Sequence, residues 1–291
     1  MNTIGTGTYS SSYRAKYFQN TFAAGLRKLL IAEKICTVDR TDSKYIHNPY
    51  GTQSTALVQT VAGTYAVTAF TLTDDSLTVT DEFIYSVHVY DFERVMANFD
   101  LMAFQVDDVT YAVAAAIDKY VVNEVLANAT GTYDTPTGGF TTAANLNVII
   151  SNLLSKVAGY ESQYKGTFLV LENTDITGVI QSQMASGYSY ADAALNNGLL
   201  TTIGGVEIFV VRTSTFIDAT TSSASGSKTW TNSGHRLFGV KGIATYASPR
   251  GVQFEEKGVS GKTGKEIVVY GYCGVKVWTP KAGLFVNITI K

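Results

Sequence analysis

Residues 81–125 read DEFIYSVHVYDFERVMANFDLMAFQVDDVTYAVAAAIDKYVVNEV, and they combine a strand pattern with a much longer helix pattern. Apolar side chains first recur at every second position, which predicts a half-buried strand: Phe83, Tyr85, Val87 and Val89. From about Asp100 to Ala127 they recur at steps of three and four, which predicts one helix. At about 1.5 Å per residue this helix would be roughly 40 Å long, which favours an extended molecule built around it.

The helix pattern has one apolar stripe, formed by Met102, Val106, Val109, Val113, Ile117 and Val121. Polar residues lie off that stripe, namely Asp107, Asp108, Asp118, Lys119, Asn123 and Glu124. Acidic side chains suit the first turns, because the N-terminal end of a helix carries partial positive charge. We expect the stripe to pack against a sheet and the polar residues to lie away from it.

Two further patterns precede this stretch. A polar leader is followed by an amphipathic helix pattern from Tyr13 to about Ile35, with basic residues on its polar face. From Lys44 to about Val79 the apolar period becomes two, which predicts a long hairpin with its turn at Ala62 and Gly63. This hairpin has few large aliphatic side chains, and an isolated hairpin is only marginally stable in water. We therefore expect it to lean on a neighbouring subunit.

The chain after residue 140 predicts an α/β subdomain followed by further strands. The subdomain comprises helices at about Ala144–Tyr160 and Ile176–Met184, a buried strand at Thr167–Leu171, and a strand pair around Gly204 and Gly205. Residues 219–234, ATTSSASGSKTWTNSG, are too polar for a core and predict a long loop. From Leu237 strand patterns return, with a turn at residues 258–265, and the last segment, Leu284–Lys291, alternates as a strand.

Composition places the chain among ordered proteins that contain many strands. Of its 291 residues, 45% are hydrophobic and 16% are charged, which argues against disorder, and the many Tyr, Thr and Val residues favour strands. The polar N-terminus resembles no signal peptide, and no apolar run approaches the ~20 residues that span a bilayer. Cys36 and Cys273 have no metal-ligand spacing and are expected to be buried thiols. We expect folding in the cytoplasm and no membrane partner.

Charge is unevenly distributed along a nearly neutral chain. The formal net charge is −2, but residues 1–40 carry +4, residues 74–124 carry −9 and residues 250–291 carry +4. Segments of opposite charge that meet within or between subunits help to select the right partner. We expect assembly to slow at high salt, which screens exposed contacts of this kind.

The order of these segments resembles the major capsid proteins of tailed phages, the Hong Kong 97 type. Local phrases are also similar: residues 81–125 quoted above, IGGVEIFVV at 203–211, and YGYCGVKVWTPKAGLFVNI at 270–288. The resemblance implies an α+β fold with five segments. These are an N-terminal arm and helix at 1–40, an E-loop hairpin at 41–80, the first part of the P-domain with the spine helix at 81–135, an A-domain at 136–246, and P-domain closing strands at 247–291.

The resemblance further implies a structural protein that assembles with itself. The expected product is an icosahedral head of hexamers and pentamers that encloses double-stranded DNA, contacted without sequence specificity. Portal and scaffolding proteins, and a decoration protein, are the other expected partners. We expect no catalytic, cofactor or metal site. The candidate assembly residues are Arg14, Arg27, Lys28, Lys44, Gly63, Tyr65, Asp107, Asp108, Lys257, Lys262 and Lys265.

Two family features are not matched. Some members begin with a long helical scaffolding segment, and nothing similar precedes Ser10, so we expect either a separate scaffolding protein or a trimmed chain. Some members crosslink an E-loop lysine to a P-domain asparagine. Here Lys44 lies only at the base of the hairpin and no asparagine occurs between Val252 and Gly283, so no crosslink is expected.

Sites for other functions are weakly indicated. GVSGKT at 258–263 lacks the spacing and the strand-to-helix setting of a phosphate-binding loop. Adjacent acids, Asp74 with Asp75 and Asp107 with Asp108, point in different directions on a strand or helix, and the three histidines are scattered. The alternatives are an encapsulin-type compartment with the same fold, a tail-tube or adhesin-type β protein, which the long helix disfavours, and a soluble α/β enzyme.

Overall fold

The structure is a computed structural model that describes residues 30–51, 71–90, 101–158, 166–185, 199–221, 228–249, 252–258, 261 and 263–291. Its helices are Ala32–Ile35 (α1), Leu101–Ala127 (α2), Ala143–Val157 (α3) and Ile176–Ala185 (α4), with 3-10 turns at Gly139–Thr141, Asn173–Asp175 and Thr279–Leu284. Its strands are Thr37–Asp39 (β1), Tyr45–His47 (β2), Tyr50–Gly51 (β3), Leu72–Thr73 (β4), Ser76–Thr78 (β5), Asp81–Val89 (β6), Gly131–Asp134 (β7), Thr167–Glu172 (β8), Leu199–Ile203 (β9), Val206–Val211 (β10), Asp218–Thr221 (β11), Lys228–Thr231 (β12), His235–Val240 (β13), Ala244–Ala247 (β14), Gln253–Gly258 (β15), Lys265–Val277 (β16) and Phe285–Thr289 (β17).

The first sheet is organised around the 13-residue strand β16. Near its C-terminal end β16 pairs with β14, which in turn pairs with β1 in parallel. Nearer its N-terminal end β16 lies between β15 and β6, both antiparallel to it. Gly271 faces Phe83 across the β6 pairing, and a Cβ at Gly271 would come within 2.6 Å of the Phe83 ring. Only glycine therefore allows the ring to lie flat on β16.

The second sheet has the strand order β7-β17-β13-β8-β10-β9. Strand β8 lies near its centre, and every residue of β8 is buried, as expected for a strand covered on both faces. The β9–β10 hairpin turns at Gly204 and Gly205, whose φ angles of 59° and 82° suit glycine, as the sequence predicts. Helices α3 and α4 pack against each other, and α3 also contacts β13.

Helix α2, the predicted long helix, spans 27 residues and joins the two sheets. It contacts β6 and β16 of the first sheet and β13 and β17 of the second. The predicted stripe is buried where its side chains are described: Val109, Val113, Ile117 and Val121. One apolar cluster runs from this stripe into both sheets, so that α2 and the two sheets share a single core.

The predicted hairpin is present at its base, where β2 pairs with β5 and β3 pairs with β4, both antiparallel. The predicted turn at Ala62 and Gly63 lies outside the described residues. The helix predicted from Tyr13 also lies mostly outside them, although α1 ends at Ile35 as expected. The α+β prediction is confirmed by this mixture of helices and strands.

Two expectations are corrected by the structure. Residues 219–234 are not simply a polar loop, because β11 and β12 pair within them and Trp230 is buried against α2. Asn123, assigned to the polar side of α2, is fully buried. Both residues interact with partners that are about a hundred positions away in sequence, which local patterns do not report.

Sheet membership crosses the segment boundaries that chain order suggests. Strand β14 lies within the segment predicted as the A-domain but pairs in the first sheet. Strand β17 lies within the predicted closing strands of the P-domain but pairs in the second sheet, between β7 and β13. The boundaries of the five predicted segments therefore stay a prediction. The structure shows which strands pair in each sheet.

Candidate functional site

The base of the hairpin rests on the first sheet through a small apolar cluster. Alternation along β5 turns Leu77 toward the body, where it packs with Val79, Ala247 and Trp278. Gly274 of β16 lies beneath them, and a Cβ there would lie 3.2 Å from Leu77 Cδ1. The Trp278 indole N–H donates to Thr245 Oγ1 at 2.9 Å, so the polar edge of the ring is also satisfied. This separate cluster fixes where the hairpin leaves the body.

Asp75 ties the same region to the body electrostatically. Its carboxylate accepts a hydrogen bond from the Thr279 backbone N–H at 2.9 Å and lies 2.9 Å from Lys276 Nζ. Burial alone would raise the pKa of Asp75, but these partners outweigh it and lower the pKa. Its neighbour Asp74 points elsewhere and pairs with His47 at 2.9 Å on the surface. The two adjacent acids therefore do not converge on one site.

The opposite side of the hairpin base faces away from the body. Tyr45 pairs with Thr78 across the β2–β5 ladder, on the face opposite Leu77, and it is exposed. Lys44 lies over the Tyr45 ring, with Nζ 5.6 Å from the ring centre. Leu72 on β4 is exposed as well. Tyr45, Lys44 and Leu72 are thus each left exposed at the base of the hairpin.

The segment that leads out of the N-terminal arm is anchored on α2. Ile31 and Ala32 donate their backbone N–H groups to the carboxylate of Asp118, at 2.8–3.2 Å. Burial raises the pKa of Asp118 to about 7, while the two N–H donors and the nearby Lys34 and Arg212 oppose that rise. Strand β1 then continues into the first sheet. The arm is therefore fixed to the body from Leu30 onward.

A buried polar network connects α2 to the second sheet. The Asn123 side-chain amide donates to the Thr215 carbonyl at 2.7 Å, and the Asn232 amide donates to Asn123 Oδ1 at 3.0 Å. Ile217 N–H also donates to Asn123 Oδ1. Because a buried amide without partners is costly, this network holds α2 in one position relative to Thr215, Ile217 and Asn232.

A buried ionic cluster lies beside this network. Arg236 on β13 pairs with Glu172 Oε2 at 3.2 Å and with Asp175, and its side chain is about as buried as theirs. Glu172 Oε1 also accepts the backbone N–H groups of Thr215 and Phe216, at 3.1 and 3.2 Å. The two buried carboxylates thus share one guanidinium, and backbone N–H groups donate to their remaining oxygens, which offsets part of the cost of burying charge. Together with Asn123, these residues form what we call the spine joint: Asn123, Glu172, Asp175, Thr215, Asn232 and Arg236.

The predicted assembly residues fall in different places. Lys257 and Lys265 lie on neighbouring strands at one end of the first sheet, where they pair with Glu255 at 2.7 Å and Glu256 at 2.5 Å. Asp108 is exposed on α2, whereas Lys44 is exposed at the base of the hairpin. Outside the described residues or side chains lie Arg14, Arg27, Lys28, Gly63, Tyr65, Asp107 and Lys262. Asp75, Asp118 and the spine joint did not emerge from the sequence as structural anchors. The only signal was the position of Asp118 and Asn123 beside buried apolar residues on α2.

Chemistry-bearing groups are dispersed in the described part of the chain. No three His, Cys, Asp or Glu side chains there are grouped so as to hold a metal ion. Cys36 and Cys273 are both buried, and burial raises the pKa of the Cys36 thiol to about 12. Across the described ranges, no helix combines the length and apolar character needed to cross a bilayer. The GVSGKT segment, which is only partly within the described residues, lies between β15 and β16, so a strand rather than a helix follows it in the chain.

A family model described as Phage capsid protein matches residues 64–286, which is more than three quarters of the chain. The chain belongs to the phage capsid protein family. The matched range covers α2 and most strands of both sheets, but it leaves out β1 and ends within β17. This chain is therefore a structural subunit of a virion shell. The expected resemblance to tailed-phage major capsid proteins is confirmed.

Solved structures of capsids share this fold at low sequence identity. The capsid protein of cyanophage P-SCSP1u has a TM-score of 0.68 at 14% identity, over 90% of this chain and 88% of that one. A chain of Mycobacterium phage Che8 has a TM-score of 0.62 at 17% identity, over 84% of each chain. A virus-like particle from Pyrococcus furiosus has a TM-score of 0.58 at 10% identity, over 94% of this chain and 98% of that one. No curated protein matches in sequence. The predicted Hong Kong 97 type fold is confirmed.

Proposed function

We propose that this capsid protein assembles into hexamers and pentamers that form an icosahedral head around double-stranded DNA. The observation that carries the proposal is the family match over residues 64–286, which includes α2 and most strands of both sheets. The architecture supports it. A 27-residue helix joins two sheets in one core, and a hairpin leaves that core at a separate, firmly anchored base.

The proposed role requires no catalysis. A shell needs a rigid repeated body and complementary surfaces, and affinity between subunits comes from buried apolar area and matched charge. The spine joint supplies rigidity, because its polar groups are buried and mutually hydrogen-bonded. The exposed surface of the hairpin base supplies a contact that the single subunit leaves uncovered.

The remaining partners follow from the same role. We expect portal and scaffolding proteins, and a decoration protein, to bind the shell, and assembly to occur in the cytoplasm of a host bacterium. Packaged DNA would be contacted through its phosphates, in a salt-dependent and sequence-independent way. The candidate assembly residues that the structure places on the surface are Lys44, Asp108, Lys257 and Lys265.

Negative-stain electron microscopy of the purified protein tests the proposal. We expect closed shells, either from this chain alone or after co-expression with a neighbouring scaffolding gene. Monomers, open tubes or flat sheets under both conditions would contradict it. Shells that contain a host enzyme instead of DNA in infected cells would favour an encapsulin-type compartment, whereas a neighbouring gene for terminase or portal would favour the virus.

A further inference from the structure

The guanidinium of Arg212 is exposed and yet held in one place. Its central carbon lies 3.2 Å from the centre of the Tyr111 ring on α2, so the two side chains are stacked. Both residues are exposed, Tyr111 by 51%. Within the part of the chain that the structure describes, Arg212 forms no ion pair. A stacked guanidinium keeps its N–H groups available in its own plane, where they can donate to carboxylate or phosphate oxygens.

The backbone of Arg212 is fixed by the spine joint. The Thr215 hydroxyl and the Thr215 N–H both donate to the Arg212 carbonyl, at 2.7 and 3.2 Å. The same N–H also donates to Glu172, and the Thr215 carbonyl accepts from Asn123. A side chain that is ordered before binding loses less conformational freedom when it binds. Arg212 is therefore better suited to hold a ligand than a lysine or arginine that moves freely at the surface.

Two lysines continue the positive charge along one face of β10. Lys34 Nζ lies 5.9 Å and Lys241 Nζ 5.2 Å from the centre of the Phe209 ring, and Lys241 also pairs with Glu207. Alternation places Glu207 and Phe209 on the same face of β10, and Arg212 follows the end of that strand. At about 3.3 Å per residue, positions 207 to 212 span about 17 Å. We call this line of side chains the basic strip: Lys34, Tyr111, Arg212 and Lys241.

Carboxylates neutralise the basic strip only in part. Glu207 pairs with Lys241, and Asp118 interacts electrostatically with Lys34 and Arg212. Burial raises the pKa of Asp118 to about 7, so this carboxyl is only partly ionised at neutral pH. Counted over these described residues, three cations meet fewer than two negative charges. The strip therefore keeps a net positive charge, which favours an anionic ligand.

We propose that the basic strip binds the phosphates of packaged double-stranded DNA, with Arg212 as its main contact. The inference rests on the proposed function, which places DNA inside the shell, and it names where the subunit touches that DNA. Phosphates of one strand recur at about 3.4 Å of helix axis, so a strip of about 17 Å meets several of them. DNA is favoured over an acidic segment of a second copy because the cations follow a line, as evenly spaced phosphates require. The exposed side of α2 at Tyr111 then faces the interior of the shell.

DNA binding by unassembled subunits tests the proposal, measured as the fluorescence anisotropy of a short labelled duplex at several salt concentrations. Each phosphate contact contributes about 0.9 to the slope of log affinity against log salt concentration. Arg212→Glu should lower the affinity about tenfold at low salt and reduce the magnitude of that slope by about 1. Arg212→Lys should keep the slope but bind more weakly, because lysine keeps the charge and loses the planar stack on Tyr111. Unchanged affinity in Arg212→Glu would overturn the proposal.

Lys257→Glu is the matched control for a change of net charge. Lys257 pairs with a glutamate, as Lys241 does, but alternation from the buried Phe254 places it on the side of β15 turned away from the core. Its affinity for DNA should stay within about twofold of wild type. Equal losses in Lys257→Glu and Arg212→Glu would show that only net charge matters and would overturn the assignment of the strip.

A change of opposite sign gives a second check. Asp108 is exposed on α2 one turn before Tyr111, where its charge repels phosphate. Asp108→Asn should therefore raise the affinity for DNA and leave the sequence-independence of binding unchanged. A lower affinity in Asp108→Asn would contradict the position of the strip beside Tyr111.

Shell assembly without DNA separates this proposal from a contact between copies. Arg212→Glu should form empty shells at the wild-type rate, as followed by light scattering, because the strip contacts DNA and not a neighbour. Failure of this variant to assemble, with its fold intact by circular dichroism, would assign the strip to a contact between subunits and overturn the inference. A wild-type protein that forms no shells under any condition would instead contradict the proposed function.

Discussion

The spine joint and the hairpin base are both anchored by buried carboxylates, but they differ in the exposure of the cation that pairs with them, since the side chain of Arg236 is 6% exposed and that of Lys276 is 33% exposed. In the spine joint the carboxylates of Glu172 and Asp175 are buried together with their partner, Arg236. In the hairpin base Asp75 is buried, but its neighbour Asp74 pairs with His47 at the surface, and the apolar cluster there is small. We infer that the joint specifies the fold of the subunit, whereas the hairpin base specifies contacts between subunits.

The largest expected effect lies in the shared core at α2. Ile117 is 2% exposed, so Ile117→Asp would bury an unpaired charge and should cost more than about 4 kcal/mol of unfolding free energy. We expect insoluble protein, measured as the soluble fraction after lysis. Tyr111→Asp on the exposed side of the same helix is the control and should stay soluble. Soluble, assembling Ile117→Asp protein would show that the stripe does not face the core.

The second effect distinguishes the joint from surface ion pairs. Arg236→Met leaves Glu172 and Asp175 buried without their cation, which should cost about 3–5 kcal/mol. Arg40→Met removes an exposed pair with Glu33 and should cost no more than about 1 kcal/mol. Urea unfolding of unassembled subunits measures both values. Equal shifts in the two variants would mean that the joint contributes no more than a surface contact.

A smaller effect concerns Asp118, which anchors the arm. Its pKa rises from 3.8 in the unfolded chain to about 7 in the fold, so the folded state binds a proton more tightly. The stability that this group contributes is therefore complete below pH 4 and is lost as pH rises toward 7. Asp118→Asn keeps an acceptor for the Ile31 and Ala32 N–H groups without the charge. We expect the variant to gain stability relative to wild type between pH 4 and 7, as measured by urea unfolding. A constant difference across that range would contradict this assignment.

The sequence predicted the elements of the fold better than their tertiary partners. The steps between Val109, Val113 and Ile117 report one helix face directly, and the Gly204–Gly205 pair reports a hairpin turn, because both signals are local. Asn123 and Asn232 are individually ordinary polar residues, and only the fold places them 3.0 Å apart across 109 positions of sequence. The burial of Trp230 was not predictable for the same reason, because Trp230 lies in a polar segment whose strand pairing places it against α2.

The candidate site was predictable in kind but not in detail. The scarcity of large aliphatic residues in the hairpin predicts that it leans on a neighbouring subunit, which stays a prediction, whereas its base is supported within the subunit, at Leu77 and Trp278. The surfaces left uncovered depend on which face each strand presents. On β6 the face that Ile84 occupies follows from alternation, because Ile84 lies between Phe83 and Tyr85. The exposure of the Ile84 side chain depends on where the hairpin base ends.

Deletion of residues 50–72 tests the central claim most directly, because it removes the hairpin beyond β2 and β5 and leaves the spine joint intact. We expect a soluble subunit whose unfolding free energy falls by no more than about 1 kcal/mol, since the apolar contacts that anchor the hairpin base, at Leu77, Val79 and Trp278, lie outside the deleted range. Electron microscopy should show no shells. Replacing residues 222–227 by Asn-Gly, a short turn between β11 and β12, is the control and should leave shells unchanged. Normal shells from the deletion variant, or its failure to fold, would contradict the division between a joint that specifies the fold and a hairpin that specifies assembly.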